Sequence, residues 1–409
     1  MDVHHERCAG LDVHKDTVVA CARVLVDGKV ERSLRTFGTT TRELLSLADW
    51  IEELGCTHVA MEATGVYWKP IWHVLEGRFA LILGNARHLR NVPGRKTDVN
   101  DATWIAELLA HGLIRGSFVP PTPTQELRDL TRTRKQLVRE MTQHTQRIQK
   151  TLEDANIKLS SVVSDTLGAS GRAILDAIVA GETDPEQLAQ RATSRLKASR
   201  AELAEALRGH VTDHHRFLLG MHLRVYDDLQ RAVRDVEARI ERELAPFRDQ
   251  IERLKTIPGI NDVAAQVIAA EIGLDMNRFP TENHLKSWAG LCPRNDTSAG
   301  KRKSTRLRDG APWLKTTLVQ AAWSAATRTK GTYYRAQYHR IRARRGHKKA
   351  VMAVAASMLT AAYHILRNGT TYQELGSTYF DKRDAGRVAN RLLRRLADLG
   401  FQVEVKAAA

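Results

Sequence analysis

Residues 9–37 read AGLDVHKDTVVACARVLVDGKVERSLRTF. The run TVVACARVLV is dense in β-branched residues and Asp27-Gly28 is a hairpin-turn signal, so the stretch predicts two or three antiparallel strands. Next, TRELLSLADWIEELG (41–55) predicts an amphipathic helix opening on a threonine cap and closing on Gly55. THVAMEATG (57–65) holds a short apolar strand, VYWKPIWHVLEG (66–77) a helix, and FALILGN (79–85) another buried strand. Strands alternating with helices after an opening hairpin predict an α/β domain with a mixed sheet.

The last helix of this region lies in GRKTDVNDATWIAELLAHG (94–112), which sets Asp98 and Asp101 three residues apart at the predicted helix start. Side chains at that spacing are neighbours on a helix and repel unless something positive lies between them. A divalent metal ion is one candidate. The helix macrodipole, which favours acids in a first turn, is the plainer explanation of either residue alone. Glu62 follows an apolar strand, where a buried carboxylate without a partner is costly. Asp12 sits on the opening strand with His14 two residues on, and a lone histidine there is more often a packing residue.

VPPTPTQ (119–125) carries three prolines and predicts a domain boundary. Beyond it, Leu127, Leu130, Leu137, Met141, Ile148 and Leu152 recur at helical spacing, as do Leu229, Val233, Val236, Ile240 and Leu244. Two long helices with charged flanks predict an antiparallel coiled-coil arm that also serves as an oligomer contact. Residues 155–210 between them have weaker periodicity and predict a small helical insertion. In TIPGINDVAAQVIAAEIG (256–273) the PGI turn before a small-residue helix resembles a helix-hairpin-helix element, whose turn amides hold a DNA phosphate. From 282 to 366 the chain predicts helices around one basic loop, CPRNDTSAGKRKSTRLRDG (292–310). The predicted divisions are 1–120, 121–254 for the arm, 255–380 for the second functional domain, and 381–409 as a C-terminal tail.

The chain has 409 residues, a net charge of +16 and a pI near 9.9, which points to a polyanionic partner, nucleic acid before membrane. The charge is local: residues 301–349 hold fifteen Lys and Arg against one acid, Asp309. Within them YYRAQYHRIRARRGHKKA (333–350) interleaves tyrosines with cations, a pattern that either stacks on unpaired bases or forms a basic helix against duplex phosphates. Mean hydropathy is -0.37 and no run reaches the 18 to 20 consecutive apolar residues of a membrane span, while MDVHHERCAG has no basic-then-apolar export pattern. The expectation is a cytoplasmic, nucleoid-associated protein with no membrane partner. Cys8, Cys21, Cys56 and Cys292 are too scattered for a zinc site and predict reduced, buried thiols.

A ribonuclease-H-like (RuvC-like) domain draws its metal-binding acids from the first strand, the end of a central strand and a later helix, where Asp12, Glu62, Asp98 and Asp101 lie. Their order resembles the DEDD-type insertion-sequence transposases, the IS one-ten family that includes the Piv-like DNA invertases. The residues that carry the resemblance are GLDVHK with Asp12, MEATGVYW with Glu62, KTDVNDATWIAELLAHGLI with Asp98 and Asp101, and FPTENHLKSWAGLCPRNDTSAGKRKSTRLRDGAPWLKTTLVQAAW (279–323). It covers residues 8 to about 115 and about 254 to 366. The resemblance implies an α/β plus all-α protein: an RNase-H-like domain, a long coiled-coil arm, and a mostly helical transposase domain with a helix-hairpin-helix-like element. It further implies four acids that hold Mg2+, and Ser298 in DTSAGK as a nucleophile that conserves phosphodiester energy in a phosphoserine. Lys301, Arg302, Lys303, Arg306 and Arg308 around it, and Arg342, Arg344, Arg345 and Lys348 beyond, are the nucleic-acid-binding cations. The implied partners are double-stranded DNA of element and target, a noncoding guide (bridge) RNA, and further copies in a homotetramer built as a dimer of dimers.

Two other readings fit the same residues. A RuvC-like junction endonuclease would cut with metal-activated water, leaving Ser298 as a turn serine and the second domain as a DNA clamp. An architectural nucleic-acid-binding protein would carry the acids as relics. Ser304 and Thr305 are rival hydroxyls in the same basic loop.

Overall fold

The structure, a computed structural model, describes residues 3–90, 92, 100–193, 196–293, 296–298, 301–304, 306–307 and 310–403, without the side chains of residues 87, 90, 296–298, 302 and 303. The chain divides into two compact units, Met1–Pro120 and Pro121–Ala409.

The first unit opens with three strands, β1 (Arg7–Val13), β2 (Thr17–Val26) and β3 (Lys29–Gly38). Val26 pairs with Lys29, and Asp27 and Gly28 between them have φ of 49° and 77°. Two left-handed residues make a type I′ turn, whose twist matches that of the strands it joins. Helix α1 (Thr41–Glu53) leads into β4 (His58–Glu62), then α2 (Trp68–Leu75), β5 (Ala80–Gly84), a short α3 (Ala86–Arg90) and α4 (Asp101–Ala110). The sheet order is β3-β2-β1-β4-β5, with β1–β2–β3 antiparallel and β1–β4–β5 parallel.

Side chains alternate across this sheet. Ala9, Leu11 and Val13 of β1, with Val59 and Met61 of β4, bury one face against Leu47 and Ile51 of α1 and Ile71 and Leu75 of α2. The even-numbered residues Cys8 and Ala60 bury the other face against Ile105, Leu108 and Leu109 of α4. The central strand β1 is thus covered on both sides.

The second unit begins with two long helices, α5 (Thr122–Asp154) and, further on, α10 (Asp213–Leu244). They run antiparallel: Arg134 pairs with Glu237, while His215 reaches Asp154 at 3.1 Å. Between them come α6 (Leu159–Val162), α7 (Ala169–Val179), α8 (Pro185–Gln190) and α9 (Arg200–Ala206). These four share a core with Ile148 and Leu152 of α5 and Leu219 and Leu223 of α10. Their weak periodicity in sequence follows from their length, since most are too short to repeat a helical stripe.

The remainder is α11 (Arg248–Lys255), α12 (Asp262–Ile272), α13 (Glu282–Trp288), a hairpin of β6 (Asp296–Ser298) and β7 (Lys301–Ser304), α14 (Pro312–Thr327), α15 (Tyr333–Arg345), α16 (His347–Asn368), α17 (Tyr379–Arg383) and α18 (Ala385–Asp398). One helix among the described residues, α16, is long and apolar enough by length and composition to cross a membrane, although polar residues interrupt its apolar run; half of that stretch is buried inside the unit. Its neighbours there are α13, α14 and α15. Glu271 of α12 is 1% exposed and accepts two hydrogen bonds from Arg132 of α5, at 2.8 and 2.9 Å. This bidentate pair fastens α5 to the helical core.

Candidate active site

The register Leu11↔Met61 between β1 and β4 makes Asp12 and Glu62 the next neighbours, at the carboxyl ends of two parallel strands. Both are even-numbered, on the sheet face that α4 covers. Helix α4 begins at Asp101, and Asn100 caps it by accepting a hydrogen bond from the Ala102 amide at 2.8 Å. The first turn lies very close to the sheet because β1 has Gly10 there: a Cβ on Gly10 would sit 2.3 Å from the Ala102 carbonyl oxygen and 2.3 Å from the Ala106 nitrogen. Small residues on both partners, Ala102 and Ala106 against Gly10 and Cys21, permit this approach.

A second device holds α4. Arg23 of β2 is 2% exposed and donates from Nε to Glu107 at 3.1 Å; Arg32 of β3 donates to the same oxygen at 2.9 Å, and His111 meets the other oxygen at 3.1 Å. Burial by itself raises the Glu107 pKa, but the Arg32 hydrogen bond and the Arg23 charge outweigh it and hold the carboxyl below the usual range. The sequence carried signals for both devices, a glycine and an arginine inside otherwise apolar strands, each of which calls for a close neighbour or a partner.

Asp12 keeps a side-chain exposure of 19%, and its Oδ2 lies 3.2 Å from His14 Nε2. His14 is 56% exposed, so it is not the packing residue its sequence context suggested. Glu62 is half-buried and accepts from the Thr64 hydroxyl at 3.3 Å. Asp98 lies outside the described residues. Asp101 is the first residue of α4. Among the described residues no three of His, Cys, Asp and Glu approach closely enough to hold a metal ion. The oxygen-only donors Asp12, Glu62 and Asp101 nevertheless suit a hard divalent cation.

In the second unit, the basic segment expected to be a loop contains the β6–β7 hairpin, in which Ser298 pairs with Lys301. Cross-strand backbone pairing satisfies groups that a loop would leave to water. The Ser298, Arg302 and Lys303 side chains, and all of Thr305 and Arg308, lie outside the described residues. Lys301 and Arg306 are exposed. The Ser304 hydroxyl accepts from the Arg306 amide at 3.2 Å, the ordinary work of a turn serine. Arg342, Arg344, Arg345 and Lys348 are all exposed around the α15–α16 corner. Two of the three tyrosines among them are a correction, while Tyr333 is half-buried. Tyr334 and Tyr338 are 1% and 3% exposed; Tyr334 stacks on Tyr372, and the Tyr338 hydroxyl meets His347 Nδ1 at 2.8 Å. They are core residues and unavailable for base stacking, because the apolar side of α15 faces α16.

Family profiles match both units: a DEDD transposase profile over residues 9–157, and a profile described as "Transposase IS116/IS110/IS902 family" over residues 251–339. The chain belongs to the IS110 family of transposases. It is similar to a probable family 20 transposase of Pseudomonas aeruginosa, 26% identical over 280 residues that span 67% of this chain and 72% of the relative. It is also similar to an insertion element IS110 uncharacterized 43.6 kDa protein of Streptomyces coelicolor, 30% identical over 122 residues, 29% of each chain. The transposase is therefore an enzyme of DNA recombination, and its first profile implies an RNase-H-like fold for the mixed sheet. The profile begins at Ala9, at the strand that carries Asp12, and so takes in Glu62, Asp98 and Asp101.

Proposed function

We propose that this transposase cuts and rejoins double-stranded DNA through a phosphoserine on Ser298, served by a Mg2+ site of Asp12, Glu62, Asp98 and Asp101 in a RuvC-like domain. The observation that carries the reading is the common position of Asp12 and Glu62, register neighbours on one face at one end of the sheet, under the helix that opens on Asp101. Mg2+ bound by such carboxylates neutralises phosphoryl charge and lowers the pKa of a coordinated hydroxyl. In the proposed reaction Ser298 Oγ attacks the scissile phosphorus and loses its proton to a base as the P–O bond to the neighbouring nucleotide breaks. The released hydroxyl of a second strand then attacks the phosphoserine and frees Ser298. One ester replaces another at each step, so no ATP is needed.

Lys301, Arg302, Lys303, Arg306 and Arg308, with Arg342, Arg344, Arg345 and Lys348, bind nucleic-acid backbone in this reading. The long antiparallel helix pair acts as a coiled-coil arm that assembles a homotetramer, residues 255–380 form the functional transposase domain, and a noncoding bridge RNA supplies sequence choice. Support for the RNA comes from the family resemblance alone.

The deciding experiment is a denaturing gel of wild type, Ser298→Ala and Asp12→Ala with labelled element-junction DNA, Mg2+ and the flanking noncoding RNA. A covalent protein–DNA band in wild type alone is expected. Cut DNA without that band, kept by Ser298→Ala and lost by Asp12→Ala, would make the enzyme a metal-dependent junction endonuclease instead.

A further inference from the structure

Within the second unit, α5, α12 and α14 enclose a cleft of about 740 Å³. One wall is Arg134, Lys135 and Arg139 on α5; Asn261 and Gln266 belong to α12 and its cap, and Gln320, Ser324 and Arg328 to α14 and its C-cap. The cleft stays narrow where Gly259, at φ +90°, approaches α14 so closely that a Cβ would lie 2.5 Å from the Ala321 carbonyl oxygen. Among the described residues no acidic side chain lines it. Arg134 is neutralised by Glu237, but Lys135, Arg139 and Arg328 are in no ion pair among the described residues.

Lys135 is the telling residue. Its Nζ is sealed from solvent, has no hydrogen-bond partner, and lies 5.6 Å from the ring centroid of Trp313, whose ring Arg132 and Arg139 also approach at 5.8 and 5.5 Å. Burial, then the Arg139 charge, push the Lys135 pKa down; Glu271, already bound by Arg132, offsets this only in part. An ammonium without a hydrogen-bond partner that also feels the Arg139 guanidinium is a liability that an incoming anion removes. Three unpaired cations, with neutral amides and hydroxyls between them, suit more than one phosphate separated by sugar.

We propose that this cleft binds the sugar–phosphate backbone of a nucleic-acid strand, with Lys135, Arg139 and Arg328 as its phosphate ligands. The proposal rests on the enzyme's being a DNA transposase and is independent of the metal and the serine, because it concerns binding and not cleavage. DNA and RNA offer the same backbone chemistry, and the test separates them.

Fluorescence anisotropy of the full-length protein in EDTA, across a salt series, would use a labelled junction duplex and, separately, the flanking noncoding RNA. Each phosphate contact adds about 0.9 (duplex) or 0.7 (single strand) to the slope of log affinity against log salt. The triple variant Lys135→Gln/Arg139→Gln/Arg328→Gln should lower that slope by about 2 to 3 relative to a control triple on exposed cations elsewhere, Lys150→Gln/Arg191→Gln/Lys197→Gln. A drop with the duplex alone identifies the strand as DNA, a drop with the RNA alone as RNA, and a drop with both means either fits. A slope equal to the control's on both probes overturns the proposal. Should the triple variant unfold, Arg139→Gln/Arg328→Gln, both exposed, decides the matter with a drop of about 1.4 to 1.8. Because binding is read in EDTA, where the proposed cleavage does not run, failure of the cleft and failure of the chemistry are told apart.

Discussion

Gly10 of β1 and Ala102 of α4 are in backbone contact: no side chain, not even a methyl group, fits between them. That contact sets the height of the α4 first turn above the strand that ends in Asp12, and so couples a packing position to the candidate acid site. Gly10→Ala should force the helix outward, costing about 1–3 kcal/mol of stability. Chemical denaturation measures the cost, and strand cleavage should fall further than the lost folded fraction explains. Cleavage that merely tracks the folded fraction would separate Gly10 from the site.

Asp12→Asn and Glu62→Gln should each lower DNA cleavage at least about 100-fold while leaving the thermal transition near wild type, because both groups stand at the end of the sheet and neither is deeply buried. Raising Mg2+ should restore part of the activity if the variants weaken ion binding. A variant that cuts at the wild-type rate would remove its residue from the metal set.

The Glu107 cluster gives the first unit a defined pH dependence. Its carboxyl has a folded pKa below the unfolded one, so it contributes stability above the unfolded value, near 4.3, that disappears as pH falls through the folded value. Glu107→Gln should flatten the acid limb of the stability curve and, by leaving buried Arg23 without its carboxylate, cost about 3 kcal/mol at neutral pH. Urea titrations at pH 3 to 7 test both parts. An unchanged acid limb in the variant would assign the pH dependence to other carboxylates.

Of the four cysteines, Cys8 and Cys21 are buried in the sheet and Cys56 in the core just before β4, and burial pushes the Cys8 thiol up to about 12 and Cys56 to about 11. Only Cys292, half-buried ahead of the basic hairpin, should react quickly with a thiol reagent in the native protein. Mass spectrometry after brief alkylation reads this directly, and labelling of Cys8 in folded protein would contradict the packing described.

Glu271→Ala should destabilise the second unit by about 2–3 kcal/mol, since it takes the bidentate carboxylate from Arg132, while Arg128 keeps its bonds to the Ala270 and Glu271 carbonyls. The first unit should keep its stability. A single unaltered transition would mean that α5 is held to the helical core by other contacts.

Local pattern in the sequence was enough for the hairpin, the alternation of strands and helices, the two long amphipathic helices and the basic C-terminal segment. Each depends on residues within a turn or two of one another: a two-residue left-handed turn at Asp27-Gly28, period-2 and helical apolar spacing, and a run of unopposed cations. The four candidate acids were visible as residue types at the ends of predicted elements, and their order made the family legible. Only the tertiary structure decided that Asp12 and Glu62 are neighbours on one face, because parallel pairing of β1 with β4 joins segments separated by an intervening hairpin and helix, and no local period records it. The same is true of Tyr334 and Tyr338 of α15, whose spacing among arginines fits a stacking surface equally well until Tyr372 and α16 cover them, and of Lys135, one charge in a charged helix until two other helices close around it. Burial is a property of what packs against a residue, and that is fixed by the whole chain.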